Sequence, residues 1–157
     1  MNTHATESDG ECLTLESKLS EIARVPPWIE KLSARHGIPS PIQFAMDLCL
    51  EEILSNIIRH GYAGEPNHAL MIHHRINREG SFTLVVEDQA PQFNPLLVSD
   101  PPVPRSLEEI SRGGHGIKLL KQFADTIDYE PMSNGNRITI TFVAHGSTQA
   151  DRRTTTT

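Results

Sequence analysis

The chain has 157 residues, 37% of them hydrophobic, which suits one globular domain with a single core and leaves no room for a second. Its formal charge of −6 carries no concentrated basic stripe, so nucleic acid is not expected as a partner, because phosphate neutralisation needs clustered Lys and Arg. No apolar run reaches bilayer length, and the start MNTHATESDGE lacks the basic and apolar blocks of a signal peptide, so a cytoplasmic protein without membrane contact is expected.

In chain order, residues 1–10 read as a flexible polar tail, and CLTLESK at 12–18 alternates in the manner of a strand. LSEIARVPPWIEKLSARHG at 19–37 reads as helix, with Pro26 and Pro27 interrupting or restarting it and Gly37 stopping it. Ser40 and Pro41 predict the N-cap and first turn of a second helix, whose Ile42, Met46, Cys49, Ile53 and Ile57 form a buried stripe running to about His60. HALMIHHRIN at 68–77 and SFTLVVED at 81–88 form a β-hairpin around Glu79 and Gly80.

Residues 89–112 are proline-rich and aperiodic, too long for a casual connection, which suggests a lid. GIKLLKQFAD at 116–125 is a third helix, and TIDYEP and NRITITFV pair across a turn at Asn134–Gly135. A polar tail at 147–157 closes the chain, leaving 11–146 as the domain. Blocks of helix and antiparallel strand predict an α+β, two-layer sandwich with helices on one face of a mainly antiparallel sheet and water on the other. Cys12 and Cys49, far apart in apolar patterns, read as buried free thiols, and His68, His73 and His74 lie in a strand whose adjacent residues face opposite ways, which does not make a zinc site.

Three features carry possible chemistry. Glu52, Asn56 and His60 recur every four residues and stack on one helix face, where a carboxylate can accept a proton and an amide oxygen can ligate Mg²⁺. Asp88 ends a strand at the edge of the irregular segment and can accept the exocyclic amine of a purine; Phe93 beyond it reads as core or as a wall for the base. RGGHGIKLLKQFAD places Gly113, Gly114 and Gly116 before a helix N-terminus, where bare backbone N–H groups suit an anion. Taken singly, these read first as a wet helix face, a turn-forming aspartate and an ordinary loop.

In order and spacing, EEILSNIIRHGY, VVEDQAPQFNP, RGGHGIKLLKQFAD and NGNRITITF together resemble the GHKL ATPase superfamily over about residues 12–143, and within it the short anti-sigma-factor serine/threonine kinases of bacterial partner-switching systems. The resemblance implies the Bergerat ATP-binding fold, with Glu52 as catalytic base, Asn56 as magnesium ligand and Asp88 as the adenine-binding carboxylate. It also implies that Gly113, Gly114, His115 and Gly116 cradle the phosphates of ATP through their backbone, beneath a lid at about 95–112. Two positions depart from the pattern: Ala90 stands where the family carries glycine after the aspartate, and Asn136 where many relatives carry threonine. A positive φ or close approach at Ala90 would cost about 1 kcal/mol or more.

The implied function is an ATP- and Mg²⁺-dependent kinase that phosphorylates a small anti-sigma-factor antagonist, sequesters a sigma factor when not so engaged, and forms homodimers. The competing expectation is a regulatory module that holds a partner without phosphorylating it.

Overall fold

The computed structural model describes residues 11–77, 80–97 and 117–144. Strand β1 (Cys12–Glu16) buries Leu13 and Leu15 and exposes the residues between, the alternation of a half-buried strand. A 3₁₀ segment, Leu19–Arg24, leads straight into α1 (Val25–His36). Pro26 and Pro27 fall in the first turn, where an α-helix has no use for their missing N–H groups, so they start α1 instead of breaking it. Gly37 ends it in the left-handed conformation, φ 66°, as the sequence predicts.

Helix α2 (Ser40–Asn56) differs from expectation at both ends. The N-cap is Pro39, whose carbonyl accepts from the N–H groups of Ile42 and Gln43, and Ser40 is already helical. After Asn56 the chain widens into a π-helical turn, Ile57–Gly61. Met46, Cys49, Ile53 and Ile57 are buried as predicted, and Ile42 is partly buried against them.

Strands β2 (Ala69–Ile76) and β3 (Ser81–Asp88) form the expected hairpin, with Gly80 at φ 74° where a side chain would be strained. After a short helix α3 (Ile117–Phe123), β4 (Thr126–Met132) and β5 (Gly135–Val143) close an antiparallel sheet of order β1-β2-β3-β5-β4. Hence β3, not the last strand, lies at the centre, and its C-terminal residue Asp88 sits opposite Asn136 of β5.

The three helices cover one face. Ile29, Leu32, Leu50, Ile53 and Leu120 pack on the inward residues of the strands, among them Ile72, Leu84, Ile140 and Phe142. The opposite face is polar: Glu87 bonds Arg137 across the strands (2.9 Å), and Arg137 reaches Glu130 (3.4 Å). Central β3 is nevertheless buried on this face too at Thr83 and Val85, since His73 and Thr139 flank Val85 on the neighbouring strands. Of the two free cysteines, Cys49 is buried, its thiol pushed up to about 12 by that burial, whereas Cys12 is exposed on the edge strand, contrary to the reading of both as buried.

Candidate active site

Glu52 and Asn56 sit one turn apart on α2, the first 3% exposed and the second half-buried. Glu52 borders a cavity of about 400 Å³ between α2 and the Leu19–Pro26 stretch, whose polar lining includes Asp47, Glu51, Ser55 and Arg59. Burial, and then the charge of Glu51, push the Asp47 carboxyl up to about 6, and its Oδ1 is buried without a hydrogen-bond partner. A carboxylate of low solvation beside a cavity is the setting in which a proton can be accepted from an incoming hydroxyl.

Packing at the π turn brings the residues after Asp88 to the C-terminal end of α2, although Asp88 borders a different cavity from Glu52. Gly61 packs at ordinary contact distance: a Cβ built on it would lie 3.4 Å from the Ala90 methyl and 3.5 Å from Phe93. The Tyr62 hydroxyl accepts the Gln89 N–H at 2.8 Å and donates to the Ala69 carbonyl at 2.9 Å, tying the turn to both β2 and the residue after Asp88. His60, exposed on the π turn, places its ring 6.1 Å from that of half-buried Phe93.

The Asp88 carboxylate, 6% exposed, accepts from the Ala90 N–H (2.9 Å) and from Asn136 Nδ2 (2.8 Å), both on Oδ1. Burial pushes its carboxyl up, and the hydrogen bonds from Asn136 and then Ala90 pull it back. Asp88 Oδ2 receives no hydrogen bond from the described residues, so one acceptor of a buried carboxylate is available to a ligand. Ala90 is 3% exposed; among the described residues, the non-glycine residues with positive φ are Ala63 and Asn67, so Ala90 is not among them. Its methyl rests against Gly61, and the strain that a glycine-requiring backbone would impose on alanine is absent.

Gly113, Gly114, His115 and Gly116, and the lid beyond Leu97, lie outside the described residues. The lid's first residues form one 3₁₀ turn, Pro95–Leu97, which Asn94 caps by accepting the Leu96 N–H at 2.9 Å. One participant escaped the sequence reading: Tyr129 of β4, whose hydroxyl donates to Asn136 Oδ1 at 2.5 Å. Its signal was present in the alternation of Ile127 and Tyr129, which sends a phenol to the inward face, but only the pairing with β5 reveals its partner.

Comparison with known proteins bears on the family and the fold. A family model for the histidine kinase-like ATPase domain matches residues 15–142. The serine/threonine-protein kinase BtrW of Bordetella bronchiseptica is 29% identical over 115 residues, 73% of this chain and 80% of that protein. An anti-sigma F factor of Halalkalibacterium halodurans is 29% identical over 85 residues, 53% of this chain and 58% of that protein. Among solved structures, the RsbU and RsbW domains of Rv1364c from Mycobacterium tuberculosis superpose with a TM-score of 0.59 at 14% identity, over 85% of this chain and 32% of that one, a likeness of fold. The α+β sandwich, the order of the motifs and the family match over nearly the whole core together place the chain in the family of histidine kinase-like ATPase domains.

Proposed function

We propose that the protein is an ATP-dependent serine/threonine kinase of the anti-sigma type, which phosphorylates a small antagonist protein and holds a sigma factor when not engaged with it. The observation that carries this reading is the joining of Glu52 and Asn56, one turn apart on α2, to Asp88 through the π turn of the same helix. It is supported by the similarity to a protein named as a serine/threonine kinase and to one named as an anti-sigma F factor. On this reading the natural partners are a phosphoacceptor antagonist, a sigma factor and a second copy of the chain, and the protein acts in the cytoplasm; no helix among the described residues is long and apolar enough to cross a membrane.

The roles follow from chemistry. Asp88 Oδ2 accepts the exocyclic amine of adenine, with Ala90 and Asn136 supporting the carboxylate from behind. The backbone N–H groups of Gly113, Gly114, His115 and Gly116 hold the phosphates. Glu52 orients the acceptor hydroxyl, which enters from the cavity bordered by Asp47 and Ser55, and takes its proton as the new P–O bond forms and the bond to the leaving phosphate breaks. Mg²⁺ uses few protein ligands besides substrate phosphates. Asn56 would hold that ion, which neutralises charge developing on the phosphates.

The competing reading, a module that binds a partner without phosphorylating it, draws on Ala90, and Ala90 is accommodated without backbone strain. The test is incubation with radiolabelled ATP, Mg²⁺ and antagonist proteins encoded beside the gene, comparing wild type with Glu52→Ala. Label on an antagonist that vanishes in the variant supports the kinase. Equal labelling by both removes Glu52 from its role, and a wild type that neither labels an antagonist nor gains thermal stability with millimolar ATP refutes the reading.

A further inference from the structure

Asn136 is a hub with no spare capacity. Its Nδ2 donates to Asp88 Oδ1 (2.8 Å) and to the carbonyls of Pro91 (3.2 Å) and Ala90 (3.3 Å). Its Oδ1 accepts from the Phe93 N–H (2.9 Å) and the Tyr129 hydroxyl (2.5 Å). All acceptors lie at one end and all donors at the other, which settles the orientation of the amide. At 1% exposure, with two N–H groups shared among three acceptors, Asn136 has nothing left to offer a ligand directly.

Its connections run in two directions. Toward the core, it holds the carboxylate of Asp88 and stitches residues 90–93 to β5. Toward the sheet edge, it is held by Tyr129, which stands on β4 opposite Ile138 and so shares the helix-covered face with Asn136. Phenol, amide and carboxylate form one chain in which each donor has a single direction.

We infer that Tyr129 and Asn136 are positioning residues for Asp88, and that this relay sets how strictly the site reads the exocyclic amine of the base. The inference rests on the nucleotide reading proposed above. With Oδ1 committed to Ala90 and Asn136, only Oδ2 can take a ligand donor, and the relay denies the carboxylate the rotation by which it could adapt to a base without one. A buried acceptor that cannot turn away is left unpaired by the wrong base, and the penalty of that unpaired group is the source of discrimination. Removing the phenol leaves the Phe93 N–H as the remaining donor to Asn136 Oδ1, which loosens the amide and, through it, the carboxylate.

The test titrates ATP and inosine triphosphate, which lacks the exocyclic amine, into wild type, Tyr129→Phe, Asn136→Thr and Asp88→Asn, with thermal melts to establish folding. Wild type should prefer ATP, and Asp88→Asn should abolish the preference, which checks the underlying assignment of the carboxylate. Tyr129→Phe, which deletes one oxygen and keeps the ring, should lower the ATP-to-inosine-triphosphate affinity ratio about three- to tenfold, the worth of one hydrogen bond. Were Tyr129 merely structural, both affinities would fall together and the unchanged ratio would overturn the inference, as would a wild type that binds both nucleotides equally.

If wild type binds neither nucleotide, the nucleotide reading fails by itself. The relay is then decided by NMR titration of the Asp88 carboxyl in the ligand-free protein, which should move upward in Tyr129→Phe; an unmoved titration overturns it. Should Tyr129→Phe not fold, Asn136→Thr carries both readouts, with the same expected directions.

Discussion

Gly135→Ala tests the tightest packing against the proposed base-reading residue. A Cβ there would lie 1.8 Å from the Asp88 carbonyl oxygen, 2.8 Å from its carbon and 2.9 Å from Gln89 Cα, where real Cβ atoms keep at least 3.0 Å. All three neighbours are backbone, so no rotamer change relieves the clash, and the turn between β4 and β5 must move away from the end of β3. Gly135 also sits at φ 149°, where an L side chain is strained. Overpacking costs about 1–3 kcal/mol and a strained dihedral about 1–3 kcal/mol, so the variant should lose about 2–6 kcal/mol. For a chain of 157 residues that is a fall in Tm of roughly 10 °C. Gly37→Ala is the control: its φ of 66° imposes the dihedral strain, but nothing lies within 4 Å, so it should lose only about 1–2 kcal/mol. Urea unfolding of both proteins measures the difference. A Gly135→Ala variant no less stable than Gly37→Ala would refute the close approach of this turn to Asp88.

Ala90→Gly, which restores the residue usual in the family, should cost about 1–1.5 kcal/mol through a lost buried methyl and a freer unfolded chain, while changing ATP affinity less than about twofold; a tenfold gain in affinity by calorimetry would show that the methyl obstructs the base. Asp47→Asn should stabilise the protein. The Asp47 carboxyl, about 6 when folded against 3.8 as its ordinary value, binds its proton more tightly in the folded state, so ionisation costs stability as pH rises through 6. Allowing for solvent screening, the gain should be roughly 1 kcal/mol at pH 7.5, shrinking below 6 and gone below about 3.8, as read by denaturant unfolding at a series of pH values. His74 should act with the opposite sign. It is packed at 5.3 Å from the His36 ring and 6.1 Å from Trp28, with Nδ1 donating to the Glu11 carbonyl at 3.2 Å. Burial and then Arg35, itself paired with Glu11, hold its imidazole below the ordinary 6.5. Stability is therefore full above about 6.5 and falls as the unfolded chain takes up the proton below it; His36, held below its ordinary value by burial and then by His74, adds a loss of the same sign, so in the Asp47→Asn background His74→Gln should reduce the fall without removing it.

Helix and strand positions were legible because their causes are local. Alternation in CLTLE, the apolar, β-branched run in SFTLVVED, the prolines at 26 and 27, Gly37 and the Asn134–Gly135 turn each act within a few residues of chain. The motifs were legible for a different reason: Glu52, Asn56 and Asp88 carry side-chain types whose chemistry is narrow, in an order shared with a known family. The π turn was not legible in the 3.6-residue periodicity, because IIRHGY continues the apolar pattern of α2 while Gly61 and Tyr62 bend it toward Ala90 and Gln89. Nor was Pro39 as the cap of α2, since a serine beside a proline satisfies the usual signature whether or not its side chain is used.

The sequence by itself determined most of the elements and the fold class, and it named the groups proposed for the candidate site. The tertiary structure alone decided how those groups are held: that Ala90 needs no positive φ, that Gly135 must be bare because the Asp88 backbone passes beside it, and that Tyr129, a residue in no motif, anchors Asn136. The physical reason is distance along the chain. Asp88 and Asn136 are 48 residues apart, and a hydrogen bond between them exists only because β3 and β5 pair in one register.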